Sequence, residues 1–124
     1  QSPFYPGTGS EAENSPHNIL NIPLHAGTGH SAYKKIFTEK VIPALQDFKP
    51  QLLLVSAGFD AHHKDPLAAI EFSELTYQWL GEQLGDFAEE YCQSRILSVL
   101  EGGYNLDALS SSFQAYLAGI HTKL

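Results

Sequence analysis

Two carboxylates, Asp60 and Asp65, and two imidazoles, His62 and His63, stand within the nine residues "GFDAHHKDP" at 58–66. Carboxylate oxygens and imidazole nitrogens are the donors that hold a catalytic divalent metal, and the same residue types also build polar turns. The stretch begins with a glycine turn behind the apolar run "QLLLVSA" at 51–57, so Asp60 falls three residues past its end. A metal site or a polar loop fits equally well at this level. What decides between them is which other residues converge on the same place.

The elements that must position these side chains follow from hydropathy. "NILNIPL" (18–24), "QLLLVSA" (51–57) and "RILSVL" (95–100) are short apolar runs bounded by turn residues, the pattern of strands buried on both faces. Three helical stripes follow them. Tyr33, Ile36, Phe37, Val41, Leu45 and Phe48 make the first, with a kink expected at Pro43. Tyr77, Leu80, Leu84, Phe87 and Tyr91 make the second, and Leu106, Leu109, Phe113, Leu117, Ile120 and Leu124 the third. Alternating strands and helices predict an α/β fold, a parallel sheet with crossover helices. Residues 1–17, rich in Gly, Pro, Ser and Asn, are expected to be loop and 18–124 the alternating part.

In open parallel sheets ligands sit at the carboxyl ends of the strands. Asp60 occupies such an end, and "EGGYN" puts Tyr104 four residues past Leu100, on the same edge if the two strands are neighbours.

Composition narrows the classes. The chain has 124 residues, enough for one domain with a modest core, and a formal charge of −7, which opposes a phosphate backbone and argues against direct nucleic-acid binding. No apolar run approaches a membrane span, and "QSPFYPGTGS" lacks the basic start and apolar stretch of a signal peptide, so a soluble cytoplasmic protein is expected. The single cysteine, Cys92, cannot form an internal disulfide and is expected to be a buried or half-buried thiol near a helix end.

"FYPGTGS", "NIPL", "VSAGFDAHHKDPLA" and "LEGGYNL" occur in the order and at about the spacing of the zinc-dependent histone deacetylase superfamily, in its C-terminal half. The sequence resembles most the bacterial deacetylase-like amidohydrolases and the class II enzymes. The resemblance implies the C-terminal portion of an arginase/deacetylase-type three-layer α/β/α fold. It also implies zinc-dependent removal of acyl groups from acetylated lysine in proteins or peptides, or from related acetylated small amines. Carried over, Asp60 is a zinc ligand and Tyr104 the hydroxyl that hydrogen-bonds the substrate carbonyl. Gly102 and Gly103 let backbone approach the acyl-lysine tunnel, and Tyr5 lines it. A catalytic zinc takes three protein ligands, polarises the amide carbonyl and activates water. In the family the other two ligands, spaced D-x-H, and a proton-handling histidine pair lie upstream of "FYPGTG", so the remaining ligands are expected upstream of this chain and little activity from the chain alone.

His62 and His63 look like that pair but lack its context and are expected to be solvated loop residues, while Asp65, before Pro66, is expected to organise the loop. His17, His25, His30 and His121 show no ligand spacing. Two other functions compete. "GTGHSA", Gly27 to Ala32, satisfies the G-x-G-x-x-A outline of a dinucleotide fingerprint if a strand precedes it, and the chain could be a non-catalytic deacetylase-like interaction module.

Overall fold

Pro43 lies in the middle of the first helical stripe without breaking it. A computed structural model describes residues 6–16 and 18–122, and in it the stripe forms one continuous helical run: α1 (His30–Ile36), a π-helical turn (Phe37–Val41) and α2 (Ile42–Phe48). Proline has no N–H to return to the preceding turn. The wider turn absorbs the loss, with Ile42 N donating to Phe37 O, and Pro43 sits in the first turn of α2, where a missing donor costs little. Lys49, in the left-handed region at φ 55°, ends the run.

Two strands form, β1 (Leu53–Ala57) and β2 (Ile96–Leu100), joined by α3 (Glu74–Cys92) and followed by α4 (Leu106–His121). They are parallel and paired from Leu53↔Ile96 to Ala57↔Leu100. The α/β class expected from the sequence is present. The expected strand at 18–24 is not: that segment carries only an isolated bridge between Ser15 and Ile19, and Ile19 and Leu20 stay exposed. An apolar run becomes a strand only beside a partner, and no described strand lies next to it.

Helices cover one face of the sheet. Leu53, Val55 and Ala57 point into the core, where Phe59, Tyr77, Leu84, Phe87, Ala88, Cys92 and Tyr116 gather. Cys92 is fully buried, as expected, with Sγ donating to Pro50 O at 3.3 Å. The opposite face is bare. Leu54 is 70% exposed, Leu97 55% and Val99 56%, so among the described residues the helices lie on one side of the sheet, consistent with a portion of a three-layer α/β/α fold. Burial on both faces, read from the apolar runs, is met on one face only.

The α3–α4 contact is close enough to leave no room for side chains at the crossing. A Cβ at Gly81 would strike Tyr116 O, and one at Gly119 would strike Gln78 O. Ser98 Oγ and Tyr116 OH, 2.7 Å apart, tie β2 to α4.

Candidate active site

Because β1 and β2 run parallel and end in register at Ala57 and Leu100, the loops that follow leave the same edge of the sheet. Four hydrogen bonds then stitch these loops together. Glu101 N donates to Ala57 O (3.0 Å) and Phe59 N to Gly102 O (2.8 Å), extending the ladder past the strands. Farther out, Tyr104 N donates to Asp65 Oδ2 (2.9 Å) and Asn105 Nδ2 to Lys64 O (3.3 Å).

Phe59 anchors the first loop. It is 2% exposed and packs on Tyr77, Phe113 and Tyr116 with ring centroids 5.0–6.0 Å apart. The next residue, Asp60, is therefore held at the sheet edge, half-buried. Its carboxylate lies against Gly102, where an added Cβ would stand 3.0 Å from Oδ2. A side chain at 102 would push on that carboxylate. Among the described residues the Asp60 carboxylate accepts no hydrogen bond, so its lone pairs stay open to another partner. Burial first, and the Asp60 charge second, push the Tyr77 phenol above its ordinary value, which places that hydroxyl in the field of Asp60.

Gly103 adopts φ 143°, and a Cβ there would meet Leu109 Cδ1 at 2.9 Å, so the second loop turns tightly over the start of α4. Tyr104 follows with its side chain 57% exposed and, among the described residues, without a hydrogen bond to its hydroxyl. Asn105 caps α4, accepting from Ala108 N at 3.0 Å.

His62 departs from expectation. It is fully buried, not solvated; its ring stacks on His63 at 4.3 Å, and Nδ1 accepts the Lys64 N–H at 3.1 Å. That leaves Nε2 to carry the ring proton, 3.4 Å from Glu74 Oε2. His63, exposed, holds Phe72 O through Nδ1 at 3.0 Å. Glu74 accepts a 2.7 Å bond from Ser111 Oγ, which is the main reason its carboxyl is held down at about 2; its own backbone N–H and His62 add to this. His62 thus joins the Asp60 loop to the starts of α3 and α4. Nothing in two adjacent histidines signalled that burial. The structure brings together Asp60, Asp65, Gly102, Gly103 and Tyr104; Tyr5 and His17 lie outside the described residues.

Among the described residues no three His, Cys, Asp or Glu side chains gather as a metal requires. The fit to a metal rests on Asp60 alone: an oxygen donor of suitable type, without a hydrogen bond, at the mouth of the sheet.

The sequence profile described as the histone deacetylase domain matches residues 1–120. The chain belongs to the histone deacetylase family. Histone deacetylase 14, chloroplastic, of Arabidopsis thaliana is 44% identical over 116 residues, covering 90% of this chain and 27% of its own length. The histone deacetylase-like amidohydrolase of Pseudomonas aeruginosa is 41% identical over 86 residues, covering 69% of this chain and 23% of its own length. Among solved structures, the histone deacetylase Clr3 superposes with a TM-score of 0.82 at 30% identity, covering 98% of this chain and 21% of that one. The chain thus spans about a quarter of the length of each of these two curated relatives. With a deacetylase fold, the dinucleotide reading of Gly27 to Ala32 loses its footing. The strand that must precede the glycines is not formed over 18–24, and Gly29 instead caps α1 and bridges to Glu71.

Proposed function

We propose that this chain is the part of a zinc-dependent deacetylase that supplies one metal ligand, Asp60, and the oxyanion-binding hydroxyl, Tyr104. The reaction is hydrolysis of the acyl-amide bond of acetyl-lysine in a protein or peptide, or of a related acetylated amine. One observation carries the reading: within a histone deacetylase segment, the two loops at the carboxyl edge of the sheet are stitched together, with a carboxylate on one and a phenol on the other that make no hydrogen bond among the described residues.

When bound, zinc supplies Lewis acidity toward the amide carbonyl and activates water. Asp60 would hold it, with the other ligands coming from residues upstream of this chain. Tyr104 donates its hydroxyl to the carbonyl oxygen as that oxygen gains charge, a contribution on the order of 10²- to 10³-fold in rate for donors of this kind. Gly102 keeps the space beside Asp60 clear, Gly103 brings bare backbone to the acyl channel, and Tyr5 would line its wall. No described helix is long and apolar enough to cross a membrane. We place the enzyme in the cytoplasm, a reducing compartment that suits the single buried thiol; the chloroplast, named for the Arabidopsis thaliana relative, is the alternative.

The test is a pair of substitutions in the full-length protein. Tyr104→Phe should keep its zinc and lose about 10²-fold in kcat, while Asp60→Asn should lose zinc and activity together. Retention of both zinc and rate by Asp60→Asn would contradict the assignment.

A further inference from the structure

We propose that Asp65 is the positioning residue of the tyrosine loop, fixing the direction from which the Tyr104 hydroxyl reaches the substrate. The proposal rests on the role given to Tyr104 above and goes one residue beyond it.

The Asp65 carboxylate does two separate things. Oδ1 accepts from Leu67 N at 2.9 Å and from Ala68 N at 3.4 Å, the local turn an aspartate commonly makes. Oδ2 accepts from Tyr104 N at 2.9 Å, across 39 residues of sequence, and the turn has no need of that bond. Asp65 is itself held firmly: it is 8% exposed, and its N–H donates to the carbonyl of fully buried His62 at 2.8 Å.

Tyr104, in contrast, has little else to fix it. Two glycines precede it, one at φ 143°, and the residue is 57% exposed, so packing does little to set its orientation. The neighbouring restraints act on the residues beside it: Phe59 N donates to Gly102 O at 2.8 Å, Ala108 N to Asn105 Oδ1 at 3.0 Å, and Asn105 Nδ2 to Lys64 O at 3.3 Å. The charge-assisted N–H···O⁻ bond that Tyr104 N donates to the buried Asp65 carboxylate is the strongest of these and is made to Tyr104 itself. It sets where the Cα–Cβ bond of Tyr104 points and hence where the hydroxyl lies. Asp65 would act through Tyr104 without touching substrate.

An asparagine separates the two tasks. Its amide has one acceptor oxygen and one donor nitrogen, so it cannot accept from both Leu67 N and Tyr104 N on opposite sides. In the full-length enzyme, Asp65→Asn should lower kcat between about 10- and 100-fold, the scale of a misplaced catalytic group, with KM and zinc content unchanged. Asp65→Ser, whose hydroxyl can still accept in the turn, should behave alike. The decisive readout is the double variant Asp65→Asn/Tyr104→Phe, which should be little slower than Tyr104→Phe alone, because Asp65 acts only through the hydroxyl already removed. Losses that multiply, zinc lost from both Asp65 variants, failure of both to fold, or unchanged kcat would each overturn the proposal. If Tyr104→Phe itself kept full activity, the role of Tyr104 would fail instead, and the two failures are thereby told apart.

Discussion

Asp60 and Asp65 stand five residues apart in one loop, yet their carboxylates face different partners. The first accepts no hydrogen bond among the described residues; the second accepts three. A third carboxylate, Glu74, titrates with consequences for stability. Its carboxyl is held at about 2, below its ordinary 4.5, chiefly by Ser111. The folded pKa is depressed, so the stabilisation is present above pH 4.5 and is lost as pH falls toward 2. Ser111→Ala should flatten the fall in unfolding free energy across that window. Because the Glu74 side chain is 42% exposed and screened by solvent, the difference should stay below about 1 kcal/mol. Denaturant titrations at a series of pH values check it; an unchanged slope would remove Ser111 as the cause. At this scale the sequence was legible where a chemical side chain followed an apolar run at the sheet edge, as Asp60 and Tyr104 do. His62 was not legible, because its burial depends on the bridge to Phe72 and on Glu74 at the start of α3 coming back over the loop, which two adjacent histidines do not signal.

At the scale of elements, β1 and β2 were readable as short apolar runs bounded by turn residues, and α3 and α4 because each carries a 3.6-residue period over enough residues. The segment 18–24 has the composition of a strand and no described neighbour to pair with, so composition misled. At Pro43 the helix runs on through a π turn just upstream, a local rearrangement that periodicity does not show. The α3–α4 crossing was hidden from periodicity altogether, because it is made by two glycines, Gly81 and Gly119, that leave backbone against backbone. Gly119→Ala should place a methyl group on the Gln78 carbonyl and cost at least about 1–3 kcal/mol, the usual range for overpacking. Chemical denaturation measures this directly. A neutral or stabilising result would mean that the helices can part without loss.

For the whole molecule, the decisive asymmetry is the sheet, covered by helices on one face and bare and apolar on the other at Leu54, Leu97 and Val99. The same incompleteness marks the site, where one carboxylate and one phenol are in place and no three-ligand cluster gathers among the described residues. Both fit a chain that spans only about a quarter of the length of the Arabidopsis thaliana and Pseudomonas aeruginosa relatives. In the proposed enzyme Asp60 and Tyr104 serve one metal-centred site at the carboxyl edge of β1 and β2. Zinc-edge anomalous diffraction from crystals of the full-length protein with an acetyl-lysine peptide would locate both groups. An Asp60 carboxylate oxygen is expected about 2.0–2.2 Å from zinc, with the Tyr104 hydroxyl about 2.5–3.0 Å from the acetyl carbonyl oxygen. Zinc bound with Asp60 outside its ligand set, or Tyr104 turned away from the carbonyl, would contradict this assignment.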